Sequence, residues 1–266
     1  MMWLNLKTLI LIKAWHVRHS LSMPECEVCR KSFSKAYNYK RHLRRFHRND
    51  EQTVALPFEA ASTACVSGST KSGKTTWLYR LLKHKDVMFS EPVHKTLYCY
   101  GIYQDTFDAM KKEIEGIEFF EGVPNQTEVK KFADGKHNLI ILDDLSERVV
   151  KDPVIEKLFV QGAHHLNLSV FFVSHNCFRQ GKCAQTIALN THYTILFRNV
   201  RDGQQIGSLG KQMFPGNNKV LVEAYEDATS TKYGYLVIDS TANGEDAYRL
   251  RTKLFPGEDP IVYVKL

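Results

Sequence analysis

The amino-acid sequence predicts a layered α/β fold with a central, mostly parallel sheet, preceded by a small ββα zinc-binding unit. Three observations support this prediction. After about residue 57, short apolar runs alternate with amphipathic helical stretches, and a glycine-rich segment joins one such run to a helix. Before it, two cysteines and two histidines have the spacing of metal ligands. The 43% hydrophobic and 24% charged residues exclude collagenous and disordered classes.

The composition divides the chain into four regions. Residues 1–22 form a leader that we expect to be poorly ordered, and residues 23–48 form the zinc finger. A polar linker, 49–56, leads to the α/β domain, 57–266. Lys7 and Lys13 interrupt the apolar part of the leader well short of the roughly 18 residues that a membrane span needs. We therefore expect no membrane partner.

The positive charge is concentrated in the predicted finger. Residues 26–48 carry eight basic side chains and one acid, which equals the net charge of +7 of the whole chain. Residues 49–266 have a net charge of −2. Electrostatic attraction to nucleic acid is therefore expected mainly from the N-terminal fifth.

The finger has the spacing C-x2-C-x12-H-x4-H, which supplies four zinc ligands in a unit too small to fold by hydrophobic burial alone. The predicted Zn²⁺ ligands are Cys26, Cys29, His42 and His47.

This segment resembles the CCHH zinc fingers of DNA-binding proteins. The helix register of that family places Lys35, Asn38 and Arg41 at the three base-reading positions. Lysine and arginine suit guanine, and asparagine suits adenine. One finger reads only about three base pairs, so a role in protein contact or tethering remains the alternative.

Six short β-rich runs predict the strands of the sheet. Several are apolar throughout, as expected for strands that are buried on both faces. The predicted strands are TACVSG, KTLYCYG, NLIILDDL, LSVFFVSHN, HYTILFRN and YGYLVIDS, and the predicted helices are KTTWLYRLLKHK, DTFDAMKKEIE, PVIEKLFVQGAHH and NKVLVEAYEDATS.

Residues 68–76 predict a nucleotide-binding P-loop, because the pattern G-x4-G-K-T lies between a predicted strand and a predicted helix. Backbone amides of such a loop surround the phosphates, Lys74 reaches the β- and γ-phosphates, and the Thr75 hydroxyl binds Mg²⁺. The predicted ATP-binding residues are Gly68, Ser69, Thr70, Lys71, Ser72, Gly73, Lys74, Thr75 and Thr76.

Two adjacent carboxylates follow the apolar run NLIIL. We expect Asp143 to bind the magnesium and Asp144 to polarise the attacking water. The alternative for Asp144 is an acid at the N-terminus of the next helix. Asn176, at the end of the next apolar run, is the candidate sensor of the γ-phosphate.

Arginines after the later strands are candidates for neutralising γ-phosphate charge in a neighbouring subunit. Arg201 is the first choice, with Arg198 and Arg179 behind it, and a surface or structural ion-pair role is the alternative. The predicted catalytic residues are therefore Lys74, Asp143, Asp144, Asn176 and Arg201.

The cysteines outside the finger lack ligand spacing. We expect Cys65, Cys99, Cys177 and Cys183 to be reduced, as in intracellular proteins. This favours a nuclear or cytoplasmic location.

These elements, in this order, resemble the packaging ATPases of the FtsK-HerA type that polinton elements, adintoviruses and related double-stranded DNA viruses encode. The resemblance covers nearly all of residues 57–266. It rests on VSGSTKSGKT, YCYGIYQDTFDAM, IEFFEGVP, NLIILDDL, QGAHHLNLSVFFVSHNCFRQGK, ALNTHYTILFRNVRDGQQI, VEAYEDATS and YGYLVID.

The resemblance implies a RecA-like core with an extra strand between the P-loop strand and the acid strand. It also implies an ATPase that assembles as a homo-oligomeric ring and threads double-stranded DNA into a capsid. The expected cofactors are ATP, Mg²⁺ and the finger's Zn²⁺. Capsid proteins are expected partners, and a viral copy would be virion-associated.

Two other functions remain open at this point. A DNA-binding regulator would read DNA with the finger and use the P-loop domain as a nucleotide switch, although a pure switch needs no water-activating acid. A helicase-type ATPase would share the core and separate DNA strands. If removal of the finger abolished all DNA affinity, the regulator would be favoured.

Overall fold

The computed structural model of the chain describes residues 11–14, 56–149, 151–176 and 182–264. The predicted finger lies outside these residues, as do the rest of the leader, Cys177 and Arg179. The proposed zinc ligands therefore lie outside the described residues, namely Cys26, Cys29, His42 and His47. The proposed base-reading residues also lie outside them, namely Lys35, Asn38 and Arg41.

The described strands form one sheet. The order of its strands is β1-β10-β9-β8-β7-β2-β6-β5-β3-β4. The strands are β1 (Leu11–Ala14), β2 (Thr63–Ser67), β3 (Thr96–Tyr100), β4 (Ile117–Glu121), β5 (Asn138–Asp143), β6 (Leu168–Ser174), β7 (Tyr193–Phe197), β8 (Tyr235–Asp239), β9 (Leu250–Thr252) and β10 (Ile261–Val264).

Most of the sheet is parallel, as predicted. Strands β7, β2, β6, β5, β3 and β4 run in one direction, and β8, β9 and β10 pair antiparallel beside them. Strand β6 lies between β2 and β5, which is the inserted strand that the family resemblance implies. Every residue of β2, β5 and β6 is buried, which explains their continuous apolar sequences.

Helices pack on both faces of the sheet and connect its parallel strands. They are α1 (Lys74–Lys83), α2 (Lys85–Met88), α3 (Thr106–Glu113), α4 (Gln126–Phe132), α5 (Ser146–Val149), α6 (Pro153–Lys157), α7 (Ala163–His165), α8 (Lys182–Leu189), α9 (Gly203–Met213) and α10 (Lys219–Ala228).

The structure departs from the predicted elements in two respects. The stretch PVIEKLFVQGAHH was predicted as one helix, but the π-helix Leu158–Gly162 separates α6 from α7. Strands β1, β4, β9 and β10 and helices α2, α4, α5, α8 and α9 were not predicted. Strand β4 lies at the edge of the sheet and is only partly buried, so it lacks the apolar run that marks the central strands.

An aromatic cluster fixes α1 against the sheet. Trp77 of α1 lies edge-on to Phe58, Phe197 and Tyr235, with ring centroids 5.7 to 6.5 Å apart. These four residues are at most 5% exposed. Because α1 begins directly after the P-loop, this packing fixes the position of the loop relative to the strand ends.

The prediction of reduced cysteines is confirmed for Cys99 and Cys183 and is wrong for Cys65, which takes part in a disulfide. A disulfide depends on tertiary proximity, which cysteine spacing does not reveal. No helix in the described part of the chain has the length and apolar character of a membrane span.

Candidate nucleotide-binding site

The P-loop turns from β2 into α1 through two positions that require glycine. A Cβ at Gly68 would lie 2.5 Å from the Cβ of Phe197, so the loop backbone passes close to the end of β7. Gly73 has φ = 107° and caps α1, and a Cβ there would lie 2.8 Å from the Tyr233 ring. The tight turn and the close packing both depend on the absence of these side chains.

Lys74, the first residue of α1, folds back over the loop. Its amine donates hydrogen bonds to the carbonyl oxygens of Gly68, at 2.7 Å, and Ser69, at 3.0 Å. Burial lowers the pKa of this amine, and the negative charges of Asp143 and Asp144 act in the opposite direction. The structure therefore brings the lysine and both acids into one electrostatic environment.

Ser72 adds a polar group without a partner. Its hydroxyl oxygen is buried and makes no hydrogen bond within the described residues. A buried polar atom of this kind costs free energy unless a ligand satisfies it. Ser72 lines the cavity, and its hydroxyl oxygen lies against Gly68, where a Cβ would be 2.8 Å away.

Asp143 ends β5 and is 5% exposed. The hydroxyl of Tyr98, on the neighbouring strand β3, donates a hydrogen bond of 2.6 Å to its Oδ2. Burial raises the pKa of the Asp143 carboxyl, and the bond from Tyr98 partly offsets this shift by stabilising the charged form. The pKa of Tyr98 is itself raised by burial and by the adjacent carboxylate.

Asp144 has a left-handed backbone, with φ = 56°. Its side chain is 42% exposed, and Oδ1 lies 4.0 Å from Nε2 of His175. A Cβ at Gly101 would lie 2.5 Å from the Asp144 carbonyl oxygen, so the chain after β3 packs directly against this turn. Asp143 thus points into a buried environment, whereas the next carboxylate reaches solvent.

Asn176 follows β6, two strands away from the end of β3 and adjacent to the P-loop strand. The Ser174 hydroxyl donates to the backbone carbonyl oxygen of Asn176 at 3.0 Å and accepts from the backbone N–H of Asn176 at 3.2 Å. This local turn sets the direction in which the chain leaves the strand. Asn176 lines the same cavity as residues 69–72 of the P-loop.

The cavity has a volume of about 890 Å³. It extends from Asn176 along the P-loop to two segments on the far side of β2, residues 198–202 after β7 and 229–234 before β8. Both segments lie at the carboxyl edge of the parallel strands, because β8 runs antiparallel to β7. This edge is where open α/β sheets bind ligands.

Arg201 and Arg198 are exposed at the rim of this cavity. Arg201 lies in the short 3₁₀-helix Val200–Asp202, and its backbone N–H donates to Oδ1 of Asn199 at 3.2 Å. The Asn199 backbone N–H donates in turn to the Tyr225 hydroxyl at 2.8 Å. The backbone that carries Arg201 is therefore fixed, while the residue is exposed.

Sequence reasoning missed two parts of the site. Tyr98 lies on a different strand from Asp143, 45 residues away in sequence, and only the pairing of β3 with β5 brings them together. Residues 229 and 230 were assigned to the end of a helix and residues 233 and 234 to the start of a strand, and residues 231 and 232 were assigned to neither. The run of hydroxyl side chains in residues 229–234 before an apolar strand was the available indication of a loop.

The donor set fits magnesium. Thr75, half-buried in the first turn of α1, and Asp143 offer a hydroxyl and a carboxylate, the hard oxygen ligands that Mg²⁺ prefers. The described ranges contain no group of three or more histidine, cysteine or acidic side chains that could hold a metal ion. The predicted zinc ligands lie outside those ranges.

Comparison with known proteins identifies the family. The model of the family described as poxvirus A32 protein matches residues 44–248, well over half of the chain. No curated protein matches the sequence. The matched span contains the P-loop, both acids, Asn176 and the segments that enclose the cavity. The chain belongs to the poxvirus A32 protein family, a family of viral DNA-packaging ATPases.

Proposed function

We propose that this protein hydrolyses ATP to translocate double-stranded DNA into a capsid. The observation that carries the proposal is the convergence of three chain segments at one sheet edge. The P-loop follows β2, the acid pair is at the end of β5 and Asn176 follows β6, and these three parallel strands are neighbours in the sheet. The P-loop and Asn176 line a cavity large enough for a nucleotide.

Each of these residues has a chemical role in the proposal. The Lys74 amine, now bonded to loop carbonyls, moves to the β- and γ-phosphates when ATP enters. Thr75 and Asp143 would hold Mg²⁺, which would supply positive charge against the phosphates. The exposed Asp144 carboxylate polarises the attacking water, and Asn176 orients that water or the γ-phosphate.

The proposed active form is a homo-oligomeric ring. Arg201 is exposed at the cavity rim on a fixed backbone, which suits a side chain that reaches the γ-phosphate of a neighbouring subunit. In a mixture of chains, Lys74→Ala subunits, which keep Arg201, should then restore hydrolysis at the intact P-loops of Arg201→Ala subunits, and only at shared interfaces. Complementation of this kind requires an oligomer.

We further propose that the zinc finger delivers DNA to the motor. Residues 26–48 carry a charge of +7, whereas residues 49–266 carry −2, so the finger is the main source of attraction to phosphate. Lys35→Ala combined with Arg41→Ala should weaken DNA binding and reduce its salt dependence. The Lys74→Ala variant should retain DNA binding, since the P-loop makes no such contact.

The test is ATP hydrolysis by the full, zinc-loaded chain, measured with and without duplex DNA on a preparation of known oligomeric mass. We expect duplex DNA to stimulate turnover, and we expect Lys74→Ala and Asp143→Ala to abolish it. A folded oligomer that binds DNA but shows no turnover would contradict the proposal and favour a DNA-binding regulator.

A further inference from the structure

The cavity extends beyond the phosphate-binding loop. The proposed γ-phosphate site lies on the β5 and β6 side of the P-loop strand, where Asp143 and Asn176 are located. Strands β7 and β8 lie on the other side of β2. If the phosphates follow the loop from the β5 and β6 side of β2 to the other, the nucleoside lies over the segments that adjoin β7 and β8.

Tyr233 is the aromatic residue at that end of the cavity. It precedes β8, is 52% exposed and lines the cavity. Within the described residues, the large hydrophobic side chains that are both exposed and in contact with the cavity are Tyr233 and Val200. An apolar surface at this end of a polar cavity suits the flat face of a base.

The backbone of Tyr233 is held in a costly conformation. Its φ is 62°, in the left-handed region that bulky residues rarely adopt. The turn is fixed by the Gly234 N–H, which donates to the Thr231 carbonyl oxygen at 3.0 Å. Strain of this kind is concentrated at functional sites, where the surrounding structure sustains it.

The position of the ring relative to the P-loop is also fixed. The Tyr233 side chain packs on Gly73, where a Cβ would lie 2.8 Å from its Cδ1 and 3.1 Å from its Cβ. The Lys232 amine lies 4.9 Å from the ring centroid. The ring is thus held against the residue from which α1 and the phosphate-binding amides begin.

We propose that Tyr233 is the stacking platform for the purine base of the bound nucleotide. This inference rests on the proposed ATPase function and names the residue that binds the base. Stacking of a base on an aromatic side chain contributes about 1–3 kcal/mol, measured by alanine substitution. Tyr233→Ala should therefore weaken ATP binding roughly 5- to 150-fold, whereas Tyr233→Phe keeps the ring and the affinity.

The experiment compares two ligands that share the phosphates and differ in the base. Calorimetry measures the binding of Mg-ATP and of magnesium tripolyphosphate to four full-length chains. These are the wild type and the variants Tyr233→Ala, Tyr233→Phe and Tyr248→Ala. Tyr248 is a half-buried tyrosine in the 3₁₀-helix Asp246–Tyr248, which follows the opposite end of β8. Its substitution serves as the matched control.

We expect only Tyr233→Ala to lose affinity for ATP, and we expect all four chains to bind tripolyphosphate within twofold of one another. Fluorescence of 2-aminopurine riboside triphosphate should be quenched on binding to the wild type and to Tyr233→Phe, and not on binding to Tyr233→Ala.

Three results would overturn the platform. Equal loss of ATP and tripolyphosphate affinity in Tyr233→Ala would mean that the ring only supports the P-loop. Unchanged ATP affinity would mean that the base does not contact the ring, and the ATPase proposal would stand. A wild-type chain that binds neither ligand would contradict the platform and the ATPase proposal together.

Discussion

The hydrogen bond from Tyr98 to Asp143 provides a sharp test of the proposed metal site. The Tyr98 ring is fully buried, with the rings of Phe107 and Phe119 at 5.0 and 5.3 Å, so Tyr98→Phe preserves the packing and removes one hydroxyl. The carboxylate then loses a bond of 2.6 Å in a site where it is 5% exposed. Hydrogen bonds to charged groups contribute about 1.5–3 kcal/mol, so we expect a loss of that size in unfolding free energy.

A second buried tyrosine supplies the matched control for this experiment. The Tyr193 hydroxyl accepts a neutral bond of 3.1 Å from the Glu59 backbone N–H, and Tyr193 is 1% exposed. Tyr193→Phe should cost about 0.5–1.5 kcal/mol. Urea denaturation at pH 7.5 measures both changes on the full chain. A loss in Tyr98→Phe no larger than that in Tyr193→Phe would refute the charge-assisted bond.

The same pair of variants tests the function of the bond. A partner that orients a metal-binding carboxylate typically changes metal affinity by about 10- to 100-fold. The Mg²⁺ concentration that half-saturates ATP hydrolysis should therefore rise about tenfold or more in Tyr98→Phe and stay unchanged in Tyr193→Phe. Equal Mg²⁺ requirements in the two variants would show that Tyr98 does not position the ligand.

Further predictions concern the P-loop, the buried acid, one buried histidine and one half-buried histidine. Gly73→Ala should destabilise the protein by more than about 1 kcal/mol and abolish ATP binding, because φ is 107° and the new Cβ meets the Tyr233 ring; thermal denaturation and calorimetry check this. Asp143→Asn should stop hydrolysis yet raise the melting temperature of the nucleotide-free protein at neutral pH. The reason is that burial raises the pKa of this carboxyl, so its ionised form opposes folding; a lower melting temperature would contradict this. Burial lowers the pKa of His137 and of His192, so the unfolded state binds more protons than the folded state below the ordinary value of 6.5. The unfolding free energy should therefore fall as the pH decreases from 7 through 6.5 toward the lowered pKa values of the two histidines. An unfolding free energy that does not change with pH in urea titrations would refute the prediction.

The central strands were predictable from the sequence because burial on both faces imposes a continuous apolar pattern. Strand β5, for example, is fully buried along Asn138–Asp143 and was recognised from NLIIL. Strand β4 was missed, since Glu118 and Glu121 are exposed at the sheet edge and interrupt that pattern. The π-helix Leu158–Gly162 was also missed, because the hydrophobic periodicity of its segment does not distinguish it from an α-helix.

The candidate site was predictable where its chemistry is local. The P-loop and the acid pair are short motifs, so the spacing of their residues in the sequence predicts their geometry. The structure brings Lys74 near both acids. The Tyr98 bond to Asp143 and the packing of Tyr233 on Gly73 depend on strand pairing between distant segments. No local pattern encodes such contacts, which is why both tyrosines were missed.

Movement along intact duplex DNA is the most direct test of the proposed function. The substrate is a duplex that carries a triplex-forming third strand, and release of that strand reports translocation. We predict ATP-dependent release by the wild-type chain, no release by Asp143→Ala, and duplex strands that stay paired throughout. Hydrolysis of ATP without release of the third strand, or separation of the two duplex strands, would contradict a double-stranded DNA translocase.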